Sequence, residues 1–416
     1  MSIYVDSREI LTNVLTNKEP YDVSLNNFLQ LNVRSTDELE KIKDIYDGFF
    51  DKFYYFQEIT KENLTKVTNL LIATIGIAFV SLRNLKMNNE EVFDFVNDTF
   101  NKNKEILSPE LKDSLINYKN GNEYVFKNVI SGSKEYLSIV FNVPVWFISM
   151  ILNQNGKEIT KNILTNMTTS KKKYYILNSL ENIDEKDKNE FAKFKTKNNS
   201  IYECDEPQNP LIQDLTFVEY NPFYEKIFKN LPSLNNKYVS LYSEIKDRFY
   251  VRFLNEYLYK NNVINLAFSN LNENKDAINE VTLRKIKDAF VFESTVGELV
   301  AHLTYQQDLI FYLPDSTNMT KFFLQREYRV NFDQNSIDKF IGDEANGLQE
   351  ISTHVANKGY LVYLINTIDK KEGTRLVQDF LANNNEFSLI KEEEIIPNKI
   401  NKTFVYYAII KRVIHA

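Results

Sequence analysis

Leu309-Ile310-Phe311-Tyr312-Leu313-Pro314-Asp315-Ser316 and, about fifty residues later, Tyr360-Leu361-Val362-Tyr363-Leu364-Ile365-Asn366-Thr367 decide how this chain is read. Each is an apolar, aromatic or β-branched run that stops on polar turn residues, which is the pattern of a buried strand reaching its end. In an open α/β sheet, ligands bind outside the carboxyl ends of the strands. The residue types at these two tips therefore limit the available chemistry, and they include Asp315 and Asn366.

Working outward, the last 180 or so residues alternate strand and helix signals. Strands are predicted at Tyr238–Tyr242, Val263–Phe268, Ala289–Phe292, Asp308–Tyr312, Tyr360–Ile365 and Thr403–Lys411. Before the fifth of these, Ile337, Phe340, Ile341, Ala345, Leu348, Ile351 and Val355 share one helical face, Asn335 or Ser336 can cap its start, and Gly359 is expected just past its end. Such alternation implies a mostly parallel sheet with helices on both faces.

The first 140 or so residues read as helices instead. Leu39, Ile42, Ile45, Tyr46, Phe49, Phe50, Phe53 and Phe56 build one apolar stripe, with cap candidates at Ser35-Thr36-Asp37. A second helix is expected over Thr60–Leu82, apolar nearly all round and hence central in a bundle. Further helices are expected over Glu90–Lys102 and Glu123–Ser138, with another start at Ser108-Pro109-Glu110 because proline fits a first helical turn. Val143 to Ile148 opens a short helix that Gly156 interrupts, and Tyr174–Asn178 is a strand candidate after Lys171-Lys172-Lys173. The polar stretch around residues 181–210 reads as a connector. The organisation is thus multidomain α plus α/β: a helical domain over 1–140, a small α+β connector over 141–230, and a Rossmann-like domain over 231–416.

Composition narrows the function classes. A formal charge of −7 argues against nucleic-acid binding through overall charge and gives no reason to expect DNA as a partner. One cysteine, Cys204, excludes a disulfide framework or a cysteine-rich zinc site, and three scattered histidines (His302, His354, His415) make a metal centre a poor expectation. The start Met1-Ser2-Ile3-Tyr4-Val5-Asp6 lacks the pattern of a signal peptide, and Leu70–Leu82 is too short for a membrane span, so a cytoplasmic protein without membrane contact is expected.

Three blocks together resemble the RsmB/NOP family of rRNA cytosine-5 methyltransferases, specifically its bacterial small-subunit type with an N-terminal NusB-like helical domain. The first is the helical region with Pro144-Val145-Trp146-Phe147, Gly156-Lys157-Glu158 and Tyr175-Ile176-Leu177-Asn178, similar to that family's Pro-x-Trp and Arg-Val-Asn landmarks. The second is Asp308–Ser316, placed like its Asp-Ala-Pro-Cys motif. The third runs from Leu348-Gln349-Glu350-Ile351 through Lys358-Gly359-Tyr360-Leu361-Val362-Tyr363 to Ile365-Asn366-Thr367, similar to its Gln-x-x-Ile-Leu helix, Gly-Gly-x-Leu-Val-Tyr strand and Thr-Cys-Ser tip.

The resemblance implies a fold that binds S-adenosylmethionine and a chemistry that needs two cysteines, one adding to the base and one releasing the adduct. A thiolate suits this because it is both a strong nucleophile and a good leaving group. Here the two cysteine positions hold Asp315 and Asn366. The cofactor loop, glycine-rich in the family, reads Ser243-Glu244-Ile245-Lys246 without glycine, and the aspartate of Asp-Ala-Pro-Cys is replaced by Tyr312. For RNA, the candidates are Lys171, Lys172, Lys173, Asn178, Arg326 and Arg329, with the family's arginine replaced by Ile176.

Three readings stand. The chain is an inactive homologue retained as a binding factor for rRNA or a small-subunit precursor, with no cofactor. Or it is a diverged methyltransferase that still uses S-adenosylmethionine. Or it keeps only protein contacts, through the helical domain.

Overall fold

The computed structural model describes residues 3–168, 173–177, 187–198, 201–204, 209–213, 216–219, 226–227, 229–231, 237–243, 265–269, 288–292, 306–314, 329–330, 334–396 and 404–413. Two compact units form, one from Met1–Thr160 with Lys321–Gln334, the other from Lys161–Thr320 with Asn335–Ala416.

In the first unit the apolar stripes become α1 (Ile3–Asn17), α2 (Tyr21–Leu31), α3 (Thr36–Asp51), α4 (Phe53–Asn63), α5 (Asn69–Arg83), α6 (Asn89–Lys102), α7 (Pro109–Lys119), α8 (Lys134–Phe141) and the start of α9 (Val145–Thr168). Ser35 caps α3 through a reciprocal capping box with Glu38, and Pro109 sits in the first turn of α7 after the Ser108 cap. Every residue from Leu71 to Leu82 is buried, so α5 is the central rod against which α1, α3, α4, α6 and α7 pack.

Three boundaries differ from the sequence expectation. The stripe running through Phe56 breaks at Lys52, where the Asn142 carboxamide donates to the Phe50 carbonyl (2.6 Å) and accepts from the Tyr54 amide (3.3 Å). The Thr60–Leu82 helix is two helices, because Glu105 accepts from the Thr65 and Lys66 amides at 3.1 and 3.0 Å and holds the chain out of helix between them. Residues 122–130 are not helical: Glu62 accepts from the Lys127 and Asn128 amides, and helix resumes only after Gly132 (φ 81°) and the Ser133 cap. In α9, Gly156 takes φ 75°, a left-handed value favouring glycine, and kinks the helix as expected.

The second unit holds two sheets. The small one is antiparallel in the order β2 (Lys195–Asn198), β3 (Ile201–Cys204), β1 (Lys173–Leu177), β4 (Phe217–Glu219), with α10 (Lys188–Phe191) and α11 (Pro210–Gln213) beside it. Its core stacks Phe194 on Phe217, ring centroids 4.0 Å apart, and buries Cys204 among apolar side chains.

The large sheet has seven strands in the order β10 (Phe387–Ile395), β11 (Val405–Arg412), β9 (Val355–Ile365), β8 (Gln307–Leu313), β5 (Tyr238–Ser243), β6 (Asn265–Ser269), β7 (Asp288–Phe292). β7 through β9 are parallel, and β11 and β10 pair antiparallel at one edge. Six strands fall on sequence-predicted segments; β10 was missed because Lys391-Glu392-Glu393-Glu394 interrupts any apolar alternation. α12 (Gln334–Ser352) and α13 (Leu376–Asn383) pack on one face. The helices expected on the second face fall outside the described residues.

The end of α12 also corrects the sequence reading. It stops at Ser352, Val355 already pairs with Gln307, and Gly359 lies inside β9 at an irregularity of the β8–β9 ladder. A Cβ there would stand 2.8 Å from the Ala356 carbonyl oxygen and 3.0 Å from that of Gln307, so the glycine serves close backbone approach, not a helix cap.

Candidate functional site

Strand order reverses between β5 and β8: β5 leads outward through β6 to β7, and β8 leads the other way to β9. The crevice outside the carboxyl ends of strands at such a switch point is where α/β sheets bind ligands. Ser243 pairs with Leu313 and Tyr312 with Tyr363, so β5, β8 and β9 end nearly level.

Just below these ends four tyrosines cross the sheet. Tyr242, Tyr312, Tyr363 and Tyr406 are all buried, with successive ring centroids 5.4, 5.8 and 6.2 Å apart. The Tyr312 hydroxyl donates to the Glu344 carbonyl (3.3 Å) and lies where a Cβ of residue 347 would have to be, so α12 carries Gly347 there. Tyr363 donates to the Glu372 carbonyl (2.8 Å), and burial first, then the charges of Glu344 and its neighbours, pushes its phenol well above the ordinary value. Tyr406 donates to the Glu392 carboxylate (2.6 Å), and burial followed by that bond raises it as well.

Beyond β9 the chain forms a tight polar knot. Thr367 donates to the Glu372 carboxylate and accepts from the Asp369 amide (3.0 Å), while Asp369 accepts from the Lys371 amide through its side chain (3.0 Å) and from the Glu372 and Gly373 amides through its carbonyl (both 3.1 Å). Asp369 thereby caps the turn that leads into α13. Asn366 precedes the knot at 9% exposure, and its carboxamide makes no hydrogen bond among the described residues.

The sequence-predicted site residues divide as follows. Asn366 stands at the β9 tip and Ser243 ends β5; Asp315, Glu244, Ile245 and Lys246 lie outside the described residues. Of the RNA candidates, Lys173 opens β1 in the second unit, while Arg329 belongs to the first, where its carbonyl accepts from Tyr54 (3.1 Å). Lys171, Lys172, Asn178 and Arg326 lie outside the described residues. In the same unit as Lys173, Lys193 pairs with Glu190 at 3.0 Å, and exposed Lys195 sits on the edge strand β2, where lysine also discourages unwanted pairing.

The tyrosine row and the Thr367–Asp369–Glu372 knot were missed. Their signal was available in part, because Tyr242, Tyr312 and Tyr363 each fall near the end of a predicted strand.

At the β8 tip the side chain present does not fit the expected cofactor contact. Tyr312, at the position where the resemblance expects aspartate, directs its hydroxyl into the helix-facing core, and the carboxylates of Asp369 and Glu372 are engaged within the knot. No methyl-transfer step is derived from them. Among the described residues no group of three His, Cys, Asp or Glu side chains gathers to hold a metal, and no single helix is long and apolar enough to cross a membrane.

No protein-family model and no curated protein matches the sequence. Solved structures do. The chain is similar over 99% of its length, and 99% of the other's, to the crystal structure of PH0851, with a TM-score of 0.63 at 13% identity. It is similar over 68% of its length, and 100% of the other's, to a methyltransferase homolog protein from Pyrococcus horikoshii (TM-score 0.52, 12% identity). NSun6 from Pyrococcus horikoshii with SFG matches over 65% of this chain and 99% of that one (TM-score 0.52, 10% identity). At these identities the likeness is one of fold: a helical N-terminal region followed by a mixed sheet of the kind that a methyltransferase homolog carries.

Proposed function

We propose that this chain is a homologue of S-adenosylmethionine-dependent RNA cytosine-5 methyltransferases that keeps the frame without the reactive groups, and that it serves as a binding factor for rRNA or a small-subunit precursor in the cytoplasm. The fold shared with a methyltransferase homolog and with NSun6 supports the frame. The observation that carries the loss of activity is the pair of strand tips: Asn366 stands where the resemblance requires a cysteine, and buried Tyr312 where it expects the aspartate. An amide has no ionisable group with which to attack a pyrimidine. On this reading the first unit corresponds to the NusB-like domain, and the lysines at 171–173 with Asn178, Arg326 and Arg329 are the residues to test for RNA contact.

Incubation of the pure protein with small-subunit rRNA and labelled S-adenosylmethionine tests the proposal. No 5-methylcytosine is expected, and its appearance would establish the second reading, a diverged but active enzyme. That alternative has one feature in its favour, the switch-point crevice between β5 and β8, which the fold retains.

A further inference from the structure

The first unit carries a groove that takes no part in the strand-tip site. Its volume is about 380 Å³, and it runs beside the irregular segment 122–128, with Asn117, Asn122, Glu110 and Lys127 in its lining. A loop without regular backbone bonding is ordinarily loose, because ordering each residue costs about 1–2 kcal/mol of conformational entropy. This one is held throughout. The Tyr124 amide donates to the Tyr55 hydroxyl (2.6 Å), and Glu62 accepts from the Lys127 and Asn128 amides (3.0 and 2.8 Å) and from the Tyr124 hydroxyl (3.1 Å). Glu123 is clamped between Lys52 and Arg83 at 2.9 and 2.8 Å.

What the pinned loop displays points to a ligand. Val125 is 83% exposed although its neighbours Tyr124 and Phe126 turn inward against the core. The carboxamides of Asn117 and Asn122, the Glu110 carboxylate and the Lys127 ammonium hold no partner among the described residues. The exposed carboxamides of Asn117 and Asn122 each offer a donor and an acceptor, the same pair of groups that an extended peptide backbone presents at each residue. The two uncommitted charges have opposite signs, so the lining suits a partner carrying one of each. A polyanion is not favoured, since nucleic-acid affinity comes chiefly from cations on phosphates, and Lys52 and Arg83 are both engaged with Glu123.

We propose that this groove binds a short extended segment of a partner protein: its main chain on Asn117 and Asn122, a lysine or arginine against Glu110, an acidic side chain against Lys127, and an apolar residue on Val125. This inference goes beyond the strand-tip reading and does not depend on it.

The test is fluorescence anisotropy of labelled hexapeptide mixtures from a positional-scanning library against the full-length protein, with single-stranded oligocytidine and oligouridine RNA as competitors. Saturable binding is expected from mixtures that fix a basic residue and an acidic residue at separate positions. Asn117→Ala should weaken the best peptide about three- to tenfold, the loss expected for one or two hydrogen bonds, and Glu110→Gln should abolish the preference for the basic residue. These side chains are exposed and hold no partner among the described residues, so circular dichroism and melting should stay at wild-type values. Absence of saturation in every mixture overturns the proposal, as does unchanged affinity in Asn117→Ala. Displacement of the peptide by RNA that is itself sensitive to Asn117→Ala replaces it with a nucleic-acid site.

Discussion

At the residue scale, Gly347 is where two general effects oppose each other. Alanine in a helix interior is ordinarily favoured over glycine by about 0.5–1 kcal/mol. At this position the added Cβ overlaps the Tyr312 hydroxyl, and both residues are buried, so the clash wins. Gly347→Ala is expected to lower stability by about 1–3 kcal/mol, measured by urea unfolding. Tyr312→Phe removes the overlapping oxygen but keeps the ring carbon Cζ, 2.9 Å from the added Cβ, so Gly347→Ala should be milder in that background without becoming neutral, and strictly additive losses would show that the two residues are not coupled. The buried phenols make a second residue-scale prediction. Burial, reinforced by Glu91, pushes Tyr4 up to about 12, so the folded state keeps it neutral while the unfolded chain ionises near the ordinary 10. Its contribution is fully present below about pH 10 and is lost as pH rises towards 12. Stability should therefore fall across that window, with tyrosinate absorbance rising together with unfolding; ionisation well before unfolding would contradict the burial.

At the element scale, the break between α3 and α4 depends on a residue from a distant part of the chain. Asn142, itself left-handed at φ 51°, serves the Phe50 carbonyl and the Tyr54 amide that the break frees. Asn142→Ala leaves both groups unserved in a partly buried place and strains the backbone, and a loss of about 1–3 kcal/mol is expected. Asn142→Gly relieves the strain alone, so it should recover only part of that loss in thermal melts. The knot after β9 behaves similarly. Thr367→Val keeps the shape but removes the hydroxyl that donates to the Glu372 carboxylate, which is 3% exposed, and a loss of about 1–3 kcal/mol is expected by urea unfolding. A neutral result would mean that the remaining surroundings of Glu372 satisfy its carboxylate without the hydroxyl.

At the scale of the whole molecule, the cofactor measurement separates the readings. A ligand that binds only the native state raises the melting temperature with its concentration, and S-adenosylmethionine is expected to leave it unchanged, with no saturable heat in calorimetry. A concentration-dependent rise would return the chain to the enzymes. How much was legible beforehand follows from the kind of information each feature needs. The stripe of α3, the apolar α5, the capping signals and six of the seven large-sheet strands were readable, because burial imposes a period of 3.6 or 2 on consecutive residues. The two strand tips were readable for the same reason, and with them the identity of Asn366. The breaks at Lys52 and at residues 64–68, and the irregular segment at 122–130, were not, because the groups that hold them come from Asn142, Glu105 and Glu62 far away in the chain. β10 was hidden because an edge strand with three consecutive glutamates carries no alternation, and its place depends on pairing with β11. The amino-acid sequence by itself determined which segments bury a face and which residues stand at the strand ends, since both are local properties of spacing and side-chain type. Strand order, the level ends of β5, β8 and β9, and the tyrosine row that occupies the helix-facing side beneath them were decided only in the tertiary structure, because each rests on hydrogen bonds and packing between segments that the sequence separates.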